Sequence, residues 1–119
     1  MAFHNELGKK GEELAVNHLL QKGYKILETN WRYLKAEIDI IAQKENILAI
    51  VEVKTRSTDV ISAPEDAVNQ KKIKLLVSAA NEYVIQNDLD VEVRFDIIAI
   101  LIKGNVYSIT HAEEAFLFF

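Results

Sequence analysis

The chain is 119 residues long, enough for one domain with a real hydrophobic core and too short for two of ordinary size. Half of it is hydrophobic, with one proline and four glycines, which argues against disorder and low complexity; the absence of cysteine excludes disulfides, thiolate metal sites and cysteine nucleophiles. A formal net charge of -4 argues against binding a polyanion through the overall field, while a local basic surface, or carboxylates assembled around a cation, remains compatible with it.

The N-terminal stretch "MAFHNELGKKGEEL" has no apolar run of signal-peptide length, and no later segment approaches the roughly 18 apolar residues of a membrane span, so a cytoplasmic protein without membrane contact is expected. Asn5 stands where a helix cap is expected, for a helix running to about Lys22 with Gly23 as its left-handed stop. Gly8, Glu12, Ala15 and Leu19 recur at helical spacing, which places Glu12 among small and apolar neighbours and turns Glu13 away by about 100°. Tyr24 to about Tyr33 reads as a strand. It is followed by "AEIDIIAQ" and "NILAIVEVKTR", separated by the polar break Lys44-Glu45-Asn46, so three consecutive strands form a meander or hairpin set.

Alternation along the second of these strands puts Glu37, Asp39 and Ile41 on one face and Ala36, Ile38, Ile40 and Ala42 on the other. Asp39 therefore lies between isoleucines, where an unpaired charge is costly. Along the third strand Glu52 and Lys54 share a face, with Val51 and Val53 opposite. The segment "SAPEDAVNQKKIKLLVSAANEYVI" predicts a second helix, with Ser62 and Glu65 at capping-box spacing and Pro64 in the first turn. Ile73, Leu76, Ala80 and Tyr83 form its core stripe; Gln70, Lys71 and Lys74 lie on another side. "VEVRFDIIAILI" and "GNVYSIT" are two further strands, and "AEEAFLFF" is a closing helix or an apolar tail. The order α-β-β-β-α-β-β predicts a single α/β domain over residues 1–119, with one central sheet flanked by helices.

Glu12, Asp39, Glu52 and Lys54 stand out chemically. Adjacent strands lie about 4.8 Å apart, so carboxylates at Asp39 and Glu52, in register and on the same side of the sheet, could share one cation with oxygen ligands at about 2.1 Å, the geometry Mg²⁺ prefers. Such an ion lowers the pKa of a bound water, and Lys54 could position that water or offset charge on a phosphoryl oxygen. Glu12 could complete the ligand set, or hold a metal-bound water, from the helix side.

These residues also carry a resemblance. Gly8-x-x-Gly11-Glu12-x-x-Ala15, Glu37-Ile38-Asp39, Val51-Glu52-Val53-Lys54-x-Arg56, Arg94-Phe95-Asp96 and His111-x-x-x-Ala115-Phe116 resemble, in the same order, the small bacterial YraN-type family. That family is similar to archaeal Holliday-junction resolvases and to the PD-(D/E)xK nucleases at large. The resemblance implies a restriction-endonuclease-like fold, a mixed sheet flanked by helices. It implies catalytic roles for Glu12, Asp39, Glu52 and Lys54, and metal contact by Glu12, Asp39, Glu52 and the carbonyl of Val53. The implied cofactor is Mg²⁺ or Mn²⁺ and the implied substrate DNA, with branched or otherwise structured DNA among the forms it suggests, and a homodimer would match a twofold junction. Lys35-Ala36, where the family has glycine, and Ile61-Ser62, in place of an aromatic-glycine pair, depart from the pattern without removing a ligand.

Blander readings stand beside these. Glu12 alone would pass for a solvated helix acid, and Glu52 with Lys54 for a surface ion pair. Arg94 and Asp96 read as a structural ion pair, and Glu37 as a partner for Arg32 or Lys35. Arg56, Gln70, Lys71 and Lys74 are candidate nucleic-acid contacts, although a lysine-rich helix face is usually just solvated. His4, His18 and His111 show no metal-ligand spacing and read as incidental. The rival function is a module of the same fold that binds nucleic acid or a protein without cutting.

Overall fold

In a computed structural model that describes residues 2–57 and 69–115, without the side chains of residues 2–5, seven elements follow the expected order. They are α1 (Ala2–Gln21), β1 (Lys25–Tyr33), β2 (Ala36–Lys44), β3 (Ile47–Ser57), α2 (Gln70–Gln86), β4 (Glu92–Lys103) and β5 (Val106–Ala112). The strands form one sheet in the order β1-β2-β3-β4-β5, antiparallel except for the parallel β3–β4 pair that α2 bridges. This mixed sheet with two flanking helices agrees with the restriction-endonuclease-like expectation. Among the described residues no helix is long and apolar enough to cross a membrane.

Both helix starts differ from the sequence reading. Helix α1 begins at Ala2, so Asn5 lies inside it rather than capping it. The described part of α2 opens at Gln70 behind an extended Asn69, whose side chain accepts from the Lys72 N–H at 2.9 Å. A helix beginning at Ser62 therefore does not run unbroken into α2; Ser62, Pro64, Glu65 and Asp66 lie outside the described residues, as does the end of the "AEEAFLFF" tail. The end of α1 is as expected. Gly23 takes φ 94°, Tyr24 N–H reaches the Leu19 carbonyl at 2.9 Å and Gly23 N–H the Leu20 carbonyl at 3.0 Å, the two bonds of a Schellman stop.

The sheet separates two cores. Ala15, Leu19 and Tyr24 pack with Ile40, Ala42, Ala49, Val51, Ile98 and Ile100 on the α1 side. Leu76, Ala79, Ala80 and Tyr83 pack with Ile38, Ile41, Leu48, Ile50 and Phe95 on the α2 side. Strand β3 is central and buried on both faces, which is why Leu48 to Val51 is an unbroken apolar run. Strand β2 breaks its alternation: Ile38 belongs to the α2-side core and Ile40 to the α1-side core, so the expected common face for Ile38 and Ile40 is corrected. Asp39 and Ile40 both turn toward the α1 side, across from Asn30 of β1, which is in the left-handed region at φ 53°.

Gly11 fixes how closely α1 approaches β3. A Cβ at this position would fall on the Thr55 side chain, whose γ-carbon would lie 2.9 Å away, and a β-branched residue in a strand has little room to turn. Gly11→Ala should cost about 1–3 kcal/mol by urea denaturation, as for other overpacked contacts. Adding Thr55→Ala should recover most of that loss; an additive double variant would overturn the explanation.

Candidate active site

The β2–β3 ladder runs from Lys44↔Ile47 to Ile40↔Val51 and stops there. Continued by one step it would pair Asp39 with Glu52. Instead the Asp39 carboxylate turns across the gap, and its Oδ2 accepts the Val53 N–H at 2.8 Å. The two acids named from the sequence thus stand opposite each other where two strands part.

They do not share a face, which corrects the expected arrangement. Asp39, Val53 and Thr55 open onto a groove of about 1100 Å³ under the first half of α1, together with Glu12, Thr29, Asn30, Arg32 and Glu37. By strand alternation Glu52 and Lys54 leave β3 on the α2 side. There Glu52, only 5% exposed, receives the Lys54 ammonium at 3.0 Å and, more closely, that of Lys72. Glu12 enters from α1, held by Asn30, whose Nδ2 donates to its Oε1 at 2.8 Å.

The electrostatics show that the two sides communicate. Burial, then the charge of Glu52 and, more weakly, that of Glu12, push the Asp39 carboxyl up from 3.8 to about 7, against the Val53 N–H and the Lys72 charge. Burial disfavours the Lys72 ammonium, yet its hydrogen bond and charge contact with Glu52 raise its pKa above the ordinary value. Among the described residues no three His, Asp or Glu side chains are close enough to form a ready metal shell.

The remaining expectations divide. Glu37 pairs with Arg32 at 3.6 Å, the structural alternative. Gln70, Lys71 and Lys74 are exposed on α2, and the Arg56 guanidinium donates to the Thr55 carbonyl at 3.0 Å; none of them touches the acids. Lys72 was not among the expected residues. The signal for it was present: Lys72, Leu76, Ala79 and Tyr83 lie at four-, three- and four-residue steps, so Lys72 begins the buried stripe of α2.

A second polar cluster lies at the other end of α1. Asp96 is fully buried, takes Arg94 Nε and Nη2 at 2.9 and 2.8 Å, and also meets His111 Nε2 at 2.9 Å and the Glu114 N–H at 3.2 Å. The structural ion pair expected for Arg94 and Asp96 is therefore present. Burial alone would raise the Asp96 pKa, but the hydrogen bonds from His111 and Arg94 and the Arg94 charge hold it below 3.8. His18 and His111, expected to be incidental, have ring nitrogens 3.2 Å apart.

Fold and site together define a mixed α/β protein with carboxylates gathered around a strand fork and a lysine two residues beyond the second acid. Residues 11–100 match the family described as "Uncharacterised protein family UPF0102". The chain belongs to that family, the YraN-type family of the sequence motifs. It is 62% identical over 119 residues to a UPF0102 protein of Flavobacterium psychrophilum, with all of both chains covered. A UPF0102 protein of Christiangramia forsetii is 57% identical over the same length, again with full coverage of both. One of Bacteroides thetaiotaomicron is 51% identical over 116 residues, covering 98% of this chain and 96% of the relative.

Proposed function

We propose that this protein is a metal-dependent endonuclease of the PD-(D/E)xK kind, hydrolysing phosphodiester bonds in DNA, with branched or otherwise structured DNA as the preferred form. The observation that supports this most is the convergence on one strand fork of Asp39 from β2, Glu52 with Lys54 from β3, and Glu12 from α1. The donor chemistry fits Mg²⁺ or Mn²⁺, because every acid involved offers oxygen and Asp39 lies within electrostatic reach of two further carboxylates. Glu12, Asp39, Glu52 and the Val53 carbonyl are the groups that would hold such an ion. When bound, it would lower the pKa of a water and offset charge on a phosphoryl oxygen.

The chain's own residues have separable tasks. The Val53 N–H orients Asp39, and Asn30 orients Glu12. Lys54 supplies a compact positive charge next to Glu52, suited to a phosphate oxygen or the attacking water. Lys72 must leave Glu52 before that carboxylate can serve as a ligand. Lys71 and Lys74, on the exposed side of α2 with Gln70, and Arg56 are the proposed phosphate contacts. A homodimer acting in the cytoplasm completes the proposal, a symmetric protein being suited to a symmetric junction.

One observation favours the non-cleaving alternative: Glu52 already has two ammonium partners. Incubating the purified chain with branched, single-stranded and duplex DNA in Mg²⁺ or Mn²⁺ separates the readings. Cleavage that disappears in Glu52→Ala supports the nuclease; cleavage that persists undiminished places the reaction elsewhere. Binding without cleavage in either metal assigns the fold to a recognition module.

A further inference from the structure

The two edges of the sheet are built differently, and the difference points to what pairs with one of them. We infer that β5 pairs antiparallel with β5 of a second copy of this chain, about a twofold axis at Ile109, so that two sheets become one. This rests on the homodimer of the proposed function, whose interface it names. Its readout is association rather than cleavage, so failure of one is distinguishable from failure of the other.

An edge strand presents a row of unpaired N–H and C=O groups, which folded chains blunt with charges, prolines or bulges. Strand β1, at one edge, carries Lys25, Glu28 and Arg32, shifts register between Ile26 and Glu28, and holds Asn30 in the left-handed region at φ 53°. Each of these interrupts a pairing surface. Strand β5, at the other edge, contains no lysine, arginine, aspartate, glutamate or proline, and its ladder with β4 runs unshifted from Ile97↔Ala112 to Lys103↔Val106. Val106, Ile109 and Thr110 are β-branched and Tyr107 is aromatic, the residue types that suit a paired strand. Val106 is 69% and Tyr107 50% exposed, and among the described residues β5 is paired only with β4.

A strand that pairs antiparallel with its own copy is closed by a twofold axis and buries the same patch on both molecules. Centred on Ile109, the register sets Val106 opposite Ala112, Tyr107 opposite His111 and Ser108 opposite Thr110 of the second copy. Ile109 packs with the α1-side core and His111 meets His18 of α1, so Tyr107, Ile109 and His111 share that face of β5. Tyr107 of each copy then lies diagonal to Ile109 of the other, within reach of an aromatic side chain. The charges favour the same arrangement. Lys103 stands beside Val106 at one end of β5 and Glu114 just beyond Ala112 at the other; both are exposed. Neither belongs to an ion pair among the described residues. Antiparallel pairing brings the Lys103 end of each copy to the Glu114 end of the other, whereas parallel pairing would set like charges together.

This geometry also places the candidate sites. A twofold axis perpendicular to the sheet keeps both copies of α1, and the grooves beneath them, on one face. Strand β3 is two strands in from the β5 edge, so the two forks would lie roughly 24 Å apart across the joined sheet at about 4.8 Å per strand. Two equivalent sites on one face suit a substrate with two symmetry-related phosphodiesters, as a branched nucleic acid offers.

Sedimentation equilibrium of the full chain tests the pairing, together with disulfide crosslinking of single-cysteine variants in a protein that has no cysteine of its own. Wild type is expected to be a dimer. Ser108→Lys combined with Thr110→Lys, both at exposed positions, sets lysine opposite lysine twice across the axis. It should raise the dimer dissociation constant about tenfold or more while the circular dichroism stays that of wild type. Ile109→Cys should crosslink under mild oxidation, because Ile109 faces its own copy at a Cα separation of about 4.5–5.5 Å. Val106→Cys should not, its two copies being roughly 20 Å apart along the strands. A monomeric wild type, association unchanged in the lysine variant, or a crosslink in Val106→Cys in place of Ile109→Cys would each overturn the inference. A dimer with the expected crosslink that cuts no DNA leaves the interface standing and removes the nuclease reading.

Discussion

Asp96→Asn is expected to destabilise the fold by about 3–5 kcal/mol, the range for breaking a buried ion pair by removing one partner. Asp96 is fully buried and its two oxygens accept from Arg94, His111 and the Glu114 backbone, so the charge satisfies several donors at once. An asparagine amide keeps the size but turns an NH₂ group toward one of those donors and leaves the Arg94 guanidinium with only the half-exposed Glu113 carboxylate, 3.8 Å away, as counter-charge. Against an overall stability of about 5–15 kcal/mol for a domain of this size, that is a large fraction. Because the folded-state pKa of Asp96 lies below 3.8, its stabilisation is fully present above about pH 4 and is lost as pH falls through the depressed value. The gap between wild type and variant should therefore be constant near neutrality and narrow in acid. Urea denaturation across pH measures it; a loss under about 1 kcal/mol would place Asp96 among ordinary surface pairs.

What local sequence could reveal depended on whether local chemistry decided the outcome. Gly23 was legible because a left-handed stop needs glycine, and β3 because a strand buried on both faces must be apolar throughout. The start of α2 was not: both Ser62 and Asn69 are good caps, and propensity alone does not rank them. The grouping of Asp39 with Ile41, and of Ile38 with Ile40, failed because a period of two cannot be carried across a break in alternation, and the left-handed Asn30 opposite that break belongs to another strand; Glu37 and Asp39, before the break, do line one groove. Lys72 was hidden among neighbouring cations that are solvated, although its spacing from Leu76 marked it. His18 and His111 are 93 residues apart, and no spacing rule could have joined residues brought together by docking α1 on the sheet. The candidate site was legible as residue types and illegible as geometry: the acids were identifiable, but not that one opens to the groove while the other faces α2.

Asp39→Asn should have two effects of opposite sign. Asparagine retains an acceptor for the Val53 N–H, so the local bond at the fork can survive. It removes a negative charge that burial and the charges of Glu52 and Glu12 make unfavourable, a cost expressed in the rise of the Asp39 pKa from 3.8 to about 7. With the folded-state value above the unfolded one, the stabilising contribution of the protonated carboxyl is complete below about pH 4 and is lost as pH rises through about 7. The variant should therefore be more stable than wild type at pH 8, by about 1–3 kcal/mol after allowance for solvent screening, and nearly equal to it at pH 4. The same substitution should reduce metal-dependent cleavage by about a hundredfold or more and abolish the rise in melting temperature produced by Mn²⁺. A residue kept for packing would lose stability on replacement; one kept for its charge at a site gains stability while activity falls. Melting curves of both proteins at pH 4 and pH 8, with and without Mn²⁺, and cleavage measured in parallel, distinguish these cases. An Asp39→Asn protein less stable at pH 8 than wild type would make Asp39 a structural residue and remove the electrostatic basis of the proposed site.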